Sequence, residues 1–325
     1  MSVRVGLIGC GVWGENLLRV LAANARAQVV AVADPGAGRR ERAGVIAPRA
    51  RRVRDLDEVL AIGVDAVVIA TPPASHAELA LRAMEGGADV LVEKPLALSV
   101  VDAERCAAVA ASLGRVAMVG HLLRYHPAVT RLLELCAGGE IGEPRRFSAT
   151  RRSARAGAGH ADACSTLWAL GPHDLAVLGA LDPSPAREIT ASVGTDGVAV
   201  GVRLESGVRA RVTLCRANLV KERWTRVVGT RRVAWFDEVR APDRILLAAT
   251  RGRSLVAEEP LAIEREISVA VGEPLAIEVA HFLQCVEDRS TPRTPFGEGA
   301  AVVRALARAE ATLEAREPQV AAGLV

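Results

Sequence analysis

The stretch Val3–Val20 (VRVGLIGCGVWGENLLRV) constrains this chain more than any other. A short apolar run (Val3, Val5, Leu7, Ile8) meets Gly9, Gly11 and Gly14, and Leu17, Leu18 and Val20 follow with helical spacing. G-x-G-x-x-G set between a strand and a helix is the pattern of a dinucleotide-binding turn. Each glycine then has its own part to play. Gly9 permits the tight turn, Gly11 lets backbone approach a pyrophosphate, and Gly14 allows close helix–strand packing. The turn residues Gly9, Gly11, Val12, Trp13 and Gly14 are therefore assigned to the cofactor. The helix start adds unpaired N–H groups and the positive end of a dipole. The next apolar run, Val29–Ala33, ends in Asp34, placed about 20 residues on to accept hydrogen bonds from ribose hydroxyls.

A chain of 325 residues predicts two domains rather than one. Half of the residues are hydrophobic and 24% are charged, enough for a large core. Forty-one basic against 38 acidic residues give a net charge of +3, which offers no reason to expect nucleic acid or an anionic membrane as partner. The six cysteines are scattered with no C-x-x-C pair, so neither a metal site nor a redox motif is expected. A start that enters a strand within three residues, and no apolar run near the ~20 residues of a membrane span, predict a soluble cytoplasmic protein.

The first third alternates strand and helix. Strands are predicted at Val3–Ile8, Val29–Ala33, Ala66–Ala70, Ala88–Val92 and Val116–Val119. Helices are predicted at Gly14–Ala23, Gly38–Val45, Leu56–Ala61, Ala74–Gly86 and Ser99–Leu113, and Arg49–Arg54 reads as a solvated loop. Continuously apolar strands between helices imply a parallel, doubly wound sheet. Beyond His121 come a helix at Ala128–Cys136, a strand at Phe147–Arg152, a polar stretch Ser153–Ser165 and a helix holding Leu167 to Leu178. Strands follow at Glu188–Val193, Val198–Leu204, Val208–Cys215, Trp224–Val228, Val233–Phe236 and Ile245–Leu247, with hairpin turns at Asp196-Gly197 and Ser206-Gly207. Helices return at Pro274–Arg289 and Glu298–Ala315. The second part is thus α+β, with a mostly antiparallel sheet and helices on one side.

Ligands of doubly wound sheets sit at the carboxyl ends of the strands. Three of these ends carry unusual residues: Thr71-Pro72-Pro73 with His76, Glu93-Lys94-Pro95, and Gly120-His121. Pro95 cannot continue a central strand and marks a sharp exit, compatible with a cis bond. Lys94 then projects at the sheet edge beside the expected nicotinamide. A hydride-transfer enzyme acting on a hydroxyl needs a proton acceptor near the carbinol, a role open to lysine and histidine. Lys94 in the first part and His173, in Gly171-Pro172-His173-Asp174, are the candidates, with a core role for His173 as the alternative.

Together these motifs, with Arg124 and Pro127, resemble the Gfo/Idh/MocA oxidoreductases, the glucose–fructose oxidoreductase and inositol dehydrogenase family. The resemblance spans nearly the whole chain, with the motifs in family order. It implies a dinucleotide-binding Rossmann domain at residues 1–121 and a substrate-binding and oligomerisation α+β domain at 122–325, built on a large open sheet. A homodimer or homotetramer through that sheet would follow. It further implies that Lys94 contacts the nicotinamide ribose and the substrate hydroxyl, and that His173 is the acid/base or orienting histidine. Thr71, Pro72, His76, Glu93, Lys94 and His121 join the cofactor set.

One departure stands out. Many relatives carry aspartate four residues before the histidine, where this chain has Ala169. Three readings follow: Lys94 and His173 suffice, a residue of the polar stretch (His160, Asp162, Ser165) substitutes, or the reaction differs. The expected substrate is a sugar, cyclitol or nucleotide-linked sugar. Lys94, Arg124, Tyr125, Arg152, Ser165 and His173 are the candidate substrate residues, and Arg151 and Arg155 are further anion partners. Tyr125, the only tyrosine, has packing at the hinge as its competing role. Asp34 favours NAD, while Arg39 and Arg40 close behind keep NADP open. The expected activity is NAD(P)-dependent hydride transfer to or from a secondary hydroxyl or ketone. The competing readings are an elimination through transient oxidation, as in NAD-dependent glycosidases, and an inactive dinucleotide or sugar sensor.

Overall fold

The computed structural model describes residues 2–154, 163–195, 197–218, 220–250 and 262–315. The first part runs β1 (Val3–Ile8), α1 (Val12–Ala23), β2 (Ala27–Ala33), α2 (Ala37–Ile46), β3 (Arg51–Val53), α3 (Leu56–Ala61), β4 (Ala66–Ile69), α4 (His76–Glu85), β5 (Asp89–Glu93), α5 (Val100–Ser112) and β6 (Ala117–Gly120). Its six strands are all parallel, in the order β3-β2-β1-β4-β5-β6. The order reverses between β1 and β4, so the crevice at their carboxyl ends is where such a sheet takes a ligand. Strand β4 is buried along its whole length, as a central strand covered on both faces must be. Helices α3 and α5 start where Asp55 and Ser99 accept hydrogen bonds from the amides of Glu58 and Asp102. The arginine cluster expected as a loop contains β3, an edge strand held by backbone pairing to β2 with Arg51 and Arg52 exposed.

The second part continues with α6 (Pro127–Ala137), β7 (Pro144–Ala154), α7 (Ala163–Leu181), β8 (Ala186–Gly194), β9 (Gly197–Leu204), β10 (Arg209–Asn218), β11 (Glu222–Gly229), β12 (Arg232–Asp237), β13 (Ala241–Ala249) and β14 (Ile263–Ser268). Among the described residues these eight strands form one sheet, β14-β13-β12-β11-β7-β10-β9-β8. All neighbours are antiparallel except β7 and β10. Helix α6 packs on β12 and β13, and α7 packs on β7, β9 and β10. The β9–β10 hairpin turns at Gly207 with φ +93°. Asp196 of the other expected hairpin turn lies outside the described residues.

Two helices close the described chain, α8 (Pro274–Asp288) and α9 (Phe296–Glu314). Packing groups Met1–Tyr125 with Glu273–Val303, and His126–Gly272 with Arg304–Val325. Helix α8 therefore belongs with the parallel sheet, where a sequence division at 121/122 puts everything later in the second part. Its Leu275, Val279, Phe282 and Leu283 share one buried cluster with Leu17, Leu18 and Leu21 of α1 and with Val5 and Leu7 of β1. Thr294 adds to the edge of β6: its carbonyl accepts from the Val119 amide at 2.9 Å, and its hydroxyl donates to the Val119 carbonyl at 2.8 Å.

Candidate functional site

The backbone of the glycine turn demands glycine at Gly9 and Gly14 and is open at Gly11. Gly9 has φ +88°, where side chains are strained, and a Cβ there would lie 2.6 Å from the Ala70 carbonyl oxygen. A Cβ on Gly14 would lie 2.1 Å from the Gly9 oxygen, so only glycine lets α1 start against the turn. A Cβ on Gly11 would meet nothing within 4 Å, which leaves an open cradle over the backbone. Val12 is 86% exposed and Trp13 40%, unusual for large apolar side chains and suited to a helix start that a ligand covers.

Asp34 ends β2 beside this turn. Its Oδ2 accepts from the Cys10 amide at 2.9 Å and its Oδ1 from the Gly36 amide at 2.8 Å, which fixes the carboxylate next to the cradle. Arg39 stands 3.6 Å from Asp34 Oδ2, with its side chain about half exposed. These residues fit a dinucleotide: donors for pyrophosphate at the turn, an acceptor for ribose hydroxyls, and a cation within reach of a ribose phosphate.

The ends of β4, β5 and β6 lie along the same edge, since Ile69 pairs with Val92 and Glu93 with Gly120. The Lys94–Pro95 peptide is cis, and Lys94 is half-buried. Glu93 accepts a hydrogen bond from Trp13 Nε1 at 2.5 Å, tying the loop after β5 to the glycine turn. A Cβ on Gly120 would lie 3.1 Å from that carboxylate, closer than an ordinary contact. Burial pushes the Glu93 carboxyl up to about 7, opposed by the Trp13 indole and the Lys94 ammonium. Burial, with smaller contributions from Arg124 and Lys94, holds His121 down to about 3, so its imidazole is neutral.

Both ring nitrogens of His76 face backbone carbonyls, of Pro95 and of Thr71. The side chain assigned to the cofactor is thus committed inside the protein, because two acceptors already occupy its polar edge. Tyr125 is likewise an interior residue, 1% exposed, with its hydroxyl 3.1 Å from Thr294 Oγ1 and 3.4 Å from Met118 Sδ, and Arg293 over its ring. Burial pushes its phenol well up from the ordinary value. The buried Arg124 donates to Glu298 at 2.8 Å. Tyr125 and Arg124, both expected to contact substrate, thus have polar groups engaged within the first unit.

In the second unit, His173 is half-buried on α7. Gly171, two residues earlier, leaves room for Leu306 of α9, since a Cβ there would stand 3.1 Å from it. Asp174 is fully buried and takes Arg151 through both oxygens, at 2.9–3.1 Å. Arg151 also donates to Glu238 at 3.0 Å and Thr225 at 3.1 Å, so it is a structural cation rather than an anion receptor. Arg152 pairs with Glu222 at 3.2 Å. Ser165 is exposed and accepts from Arg216 at 2.9 Å. Arg155, His160 and Asp162 lie outside the described residues.

Sequence reading missed Glu278. It is fully buried on α8, and burial, reinforced by the charge of Glu93, pushes its carboxyl well above the ordinary range. The signal was present: Glu278 falls on the apolar stripe of Leu275, Val279 and Phe282 at helical spacing. Among the described residues no group of three or more His, Cys, Asp or Glu is placed to hold a metal. No helix among them is long and apolar enough to cross a membrane.

A family model described as an oxidoreductase family with an NAD-binding Rossmann fold matches residues 3–121. Inositol 2-dehydrogenase 1 of Saccharopolyspora erythraea is 36% identical over 160 residues, 48% of this chain and 48% of its own length. The chain therefore matches about half the length of that relative. UDP-N-acetylglucosamine 3-dehydrogenase of Acidithiobacillus ferrooxidans is 30% identical over 321 residues, 95% of this chain and 96% of the relative. A solved structure of the latter enzyme superposes with a TM-score of 0.82 at 26% identity, covering 97% of this chain and 99% of that one. With the glycine turn, the acid after β2 and the Lys94–Pro95 exit in place, and a relative alike from end to end, the chain belongs to the Gfo/Idh/MocA family of oxidoreductases.

Proposed function

We propose that this chain is an NAD(P)-dependent oxidoreductase acting on a secondary hydroxyl or ketone of a sugar, cyclitol or nucleotide-linked sugar. The observation that carries this reading is the open cradle at Gly11, on the same sheet edge as Lys94. When bound, the nicotinamide supplies or takes the hydride. The chain does the rest. The α1 amides hold the pyrophosphate, Asp34 accepts from the ribose hydroxyls, and Lys94 holds and moves the proton at the substrate oxygen. We assign to His173 the role of second proton-handling or orienting group, and to Arg152 and Ser165 contacts to substrate. Asp34 favours NAD, and Arg39 beside it provides for the ribose phosphate of NADP. The similarity to enzymes named for inositol and for UDP-N-acetylglucosamine supports polyhydroxylated substrates. We further assign to the eight-stranded sheet a role in forming a homodimer or homotetramer, which sedimentation of the intact chain tests.

The test is a screen of inositols, free sugars and nucleotide-linked sugars with each dinucleotide, read at the reduced-nicotinamide absorbance. Lys94→Met is expected to cut kcat by about a thousandfold, the middle of the range for losing a general acid or base, with dinucleotide affinity nearly unchanged. Turnover that survives in Lys94→Met removes Lys94 from the chemistry.

A further inference from the structure

The loops after β4 and β5 hold Thr71, Pro72, Lys94 and Pro95, and one side chain joins them. His76, at the start of α4, is 1% exposed. Its Nδ1 lies 2.7 Å from the Pro95 carbonyl oxygen and its Nε2 lies 2.8 Å from that of Thr71. Carbonyl oxygens only accept, whereas a neutral imidazole owns a single N–H. A neutral ring would therefore satisfy one carbonyl and turn a lone pair on the other. Turning the ring over gives no escape, because a C–H would then sit well inside the roughly 3.3 Å at which carbon approaches a carbonyl oxygen. Only a ring protonated at both nitrogens matches both contacts, and charge-assisted hydrogen bonds have this length.

The forces on that proton oppose one another. Burial pulls the ring toward the neutral form, and the Lys94 ammonium pulls the same way. The carbonyls of Pro95 and Thr71, helped by the backbone of Glu93, pull toward the cation. From α5 the nearby titratable group is Cys106, 3.7 Å from the Ala77 carbonyl, whose thiol burial holds up at about 11 and therefore neutral. On balance these forces hold the ring below its ordinary value, burial being the largest; the two short contacts, each of which needs an N–H donor, weigh against that balance for the cation. The first loop is also braced within itself, since the Ser75 hydroxyl lies 2.7 Å from Thr71 Oγ1 and 2.9 Å from the Pro72 carbonyl.

We propose that His76 is a positioning residue: a buried imidazolium that ties the braced Thr71 loop to the Lys94–Pro95 segment and so fixes where Lys94 stands. The kinetic part of this rests on the proton-handling role of Lys94 proposed above; the charge of the ring does not.

The decisive experiment is 15N NMR of the histidine side chains in the intact protein, with the His76 signals assigned by their loss in His76→Gln and His76→Asn. At about pH 7, where an ordinary histidine is mostly neutral, both His76 nitrogens are expected to carry protons that exchange slowly with water. An unprotonated nitrogen in that ring at that pH overturns the proposal. Should both variants fail to fold, the wild type still decides: the equally buried His121 is neutral and carries a single N–H, so a ring with two slowly exchanging N–H protons is His76, and a spectrum without such a ring overturns the proposal. Once a substrate is known, His76→Gln is expected to lower kcat by about tenfold or more through misplacement of Lys94. Its dinucleotide Kd should stay within about threefold, a difference of well under 1 kcal/mol. A wild-type kcat in that variant overturns the positioning role. Absence of turnover in the wild type itself would count against the proposed function, while the ring spectra still decide the charge of His76.

Discussion

Gly14→Ala is the sharpest test of how the glycine turn is built. The added methyl would lie 2.1 Å from the Gly9 carbonyl oxygen and 2.9 Å from its carbon. A carbon needs about 3.3 Å from such an oxygen, so helix and turn must separate by about 1.2 Å. The obstacle is backbone, and no rotamer relieves it. The turn cannot retreat, because Gly9 is itself backed by the Ala70 carbonyl. The helix cannot retreat without unpacking Leu17, Leu18 and Leu21, all fully buried and shared with α8. Overpacking at such a site costs about 3 kcal/mol, the upper end of the usual range. That corresponds to a fall in Tm of about 6–12 °C if the unit that melts cooperatively holds about 150–250 residues. Gly11→Ala is the control. Its methyl meets nothing, at φ −74°, so Tm should hardly move. The methyl instead fills the cradle, and the dinucleotide Kd should rise by about ten- to a hundredfold, or about 1.4–2.8 kcal/mol. Thermal melts and fluorescence titration, with the exposed Trp13 as reporter, measure both. A wild-type Tm in Gly14→Ala, or wild-type affinity in Gly11→Ala, refutes the division of labour among the glycines.

Other expectations follow from single contacts. Asp174→Asn leaves the buried Arg151 without its two-oxygen partner, and should cost about 3 kcal/mol or more in denaturant unfolding; an unchanged midpoint would show that Glu238 alone compensates the charge. Glu93 has a folded pKa of about 7, above its ordinary 4.5, so ionising it costs stability that is lost as pH rises between these values. Glu93→Gln escapes that cost, and should match the wild type below pH 4.5 yet exceed it by about 2 kcal/mol above pH 7, allowing for partial solvent screening. A difference that does not vary with pH would contradict this. Arg39→Ala should weaken NADP relative to NAD by about tenfold, the effect of one lost charge-assisted contact; an unchanged cofactor preference would remove Arg39 from the ribose site.

The parallel unit was legible because its signals are local. Each strand is a short apolar run, each glycine acts on neighbours within a few residues, and a proline after Lys94 needs no distant partner to end β5. Asp34 and Lys94 could be placed for the same reason, as the first residues past the ends of strands. The antiparallel unit was legible as a class from its alternating strands and the Ser206-Gly207 turn. What escaped was whatever depends on a partner far along the chain. Strand β3 is three residues long with two exposed arginines, and only the edge of β2 makes it a strand. Strand β14 is exposed along nearly its whole length and exists through its ladder to β13. Helix α8 carries an apolar stripe that any sheet face could cover, and α1 and β1 cover it.

The same division holds for the site. The sequence by itself determined the glycine turn, the acid after β2 and the lysine at the strand exit, since backbone conformation and strand direction place them. Tertiary structure decided which polar groups are already spent. Arg151 meets Asp174 across 23 residues, Arg124 meets Glu298 across 174, and His76 meets Pro95 across 19. A buried charge or ring must find its partners wherever folding brings them, because leaving them unmet in a low-dielectric interior costs more than the contact returns.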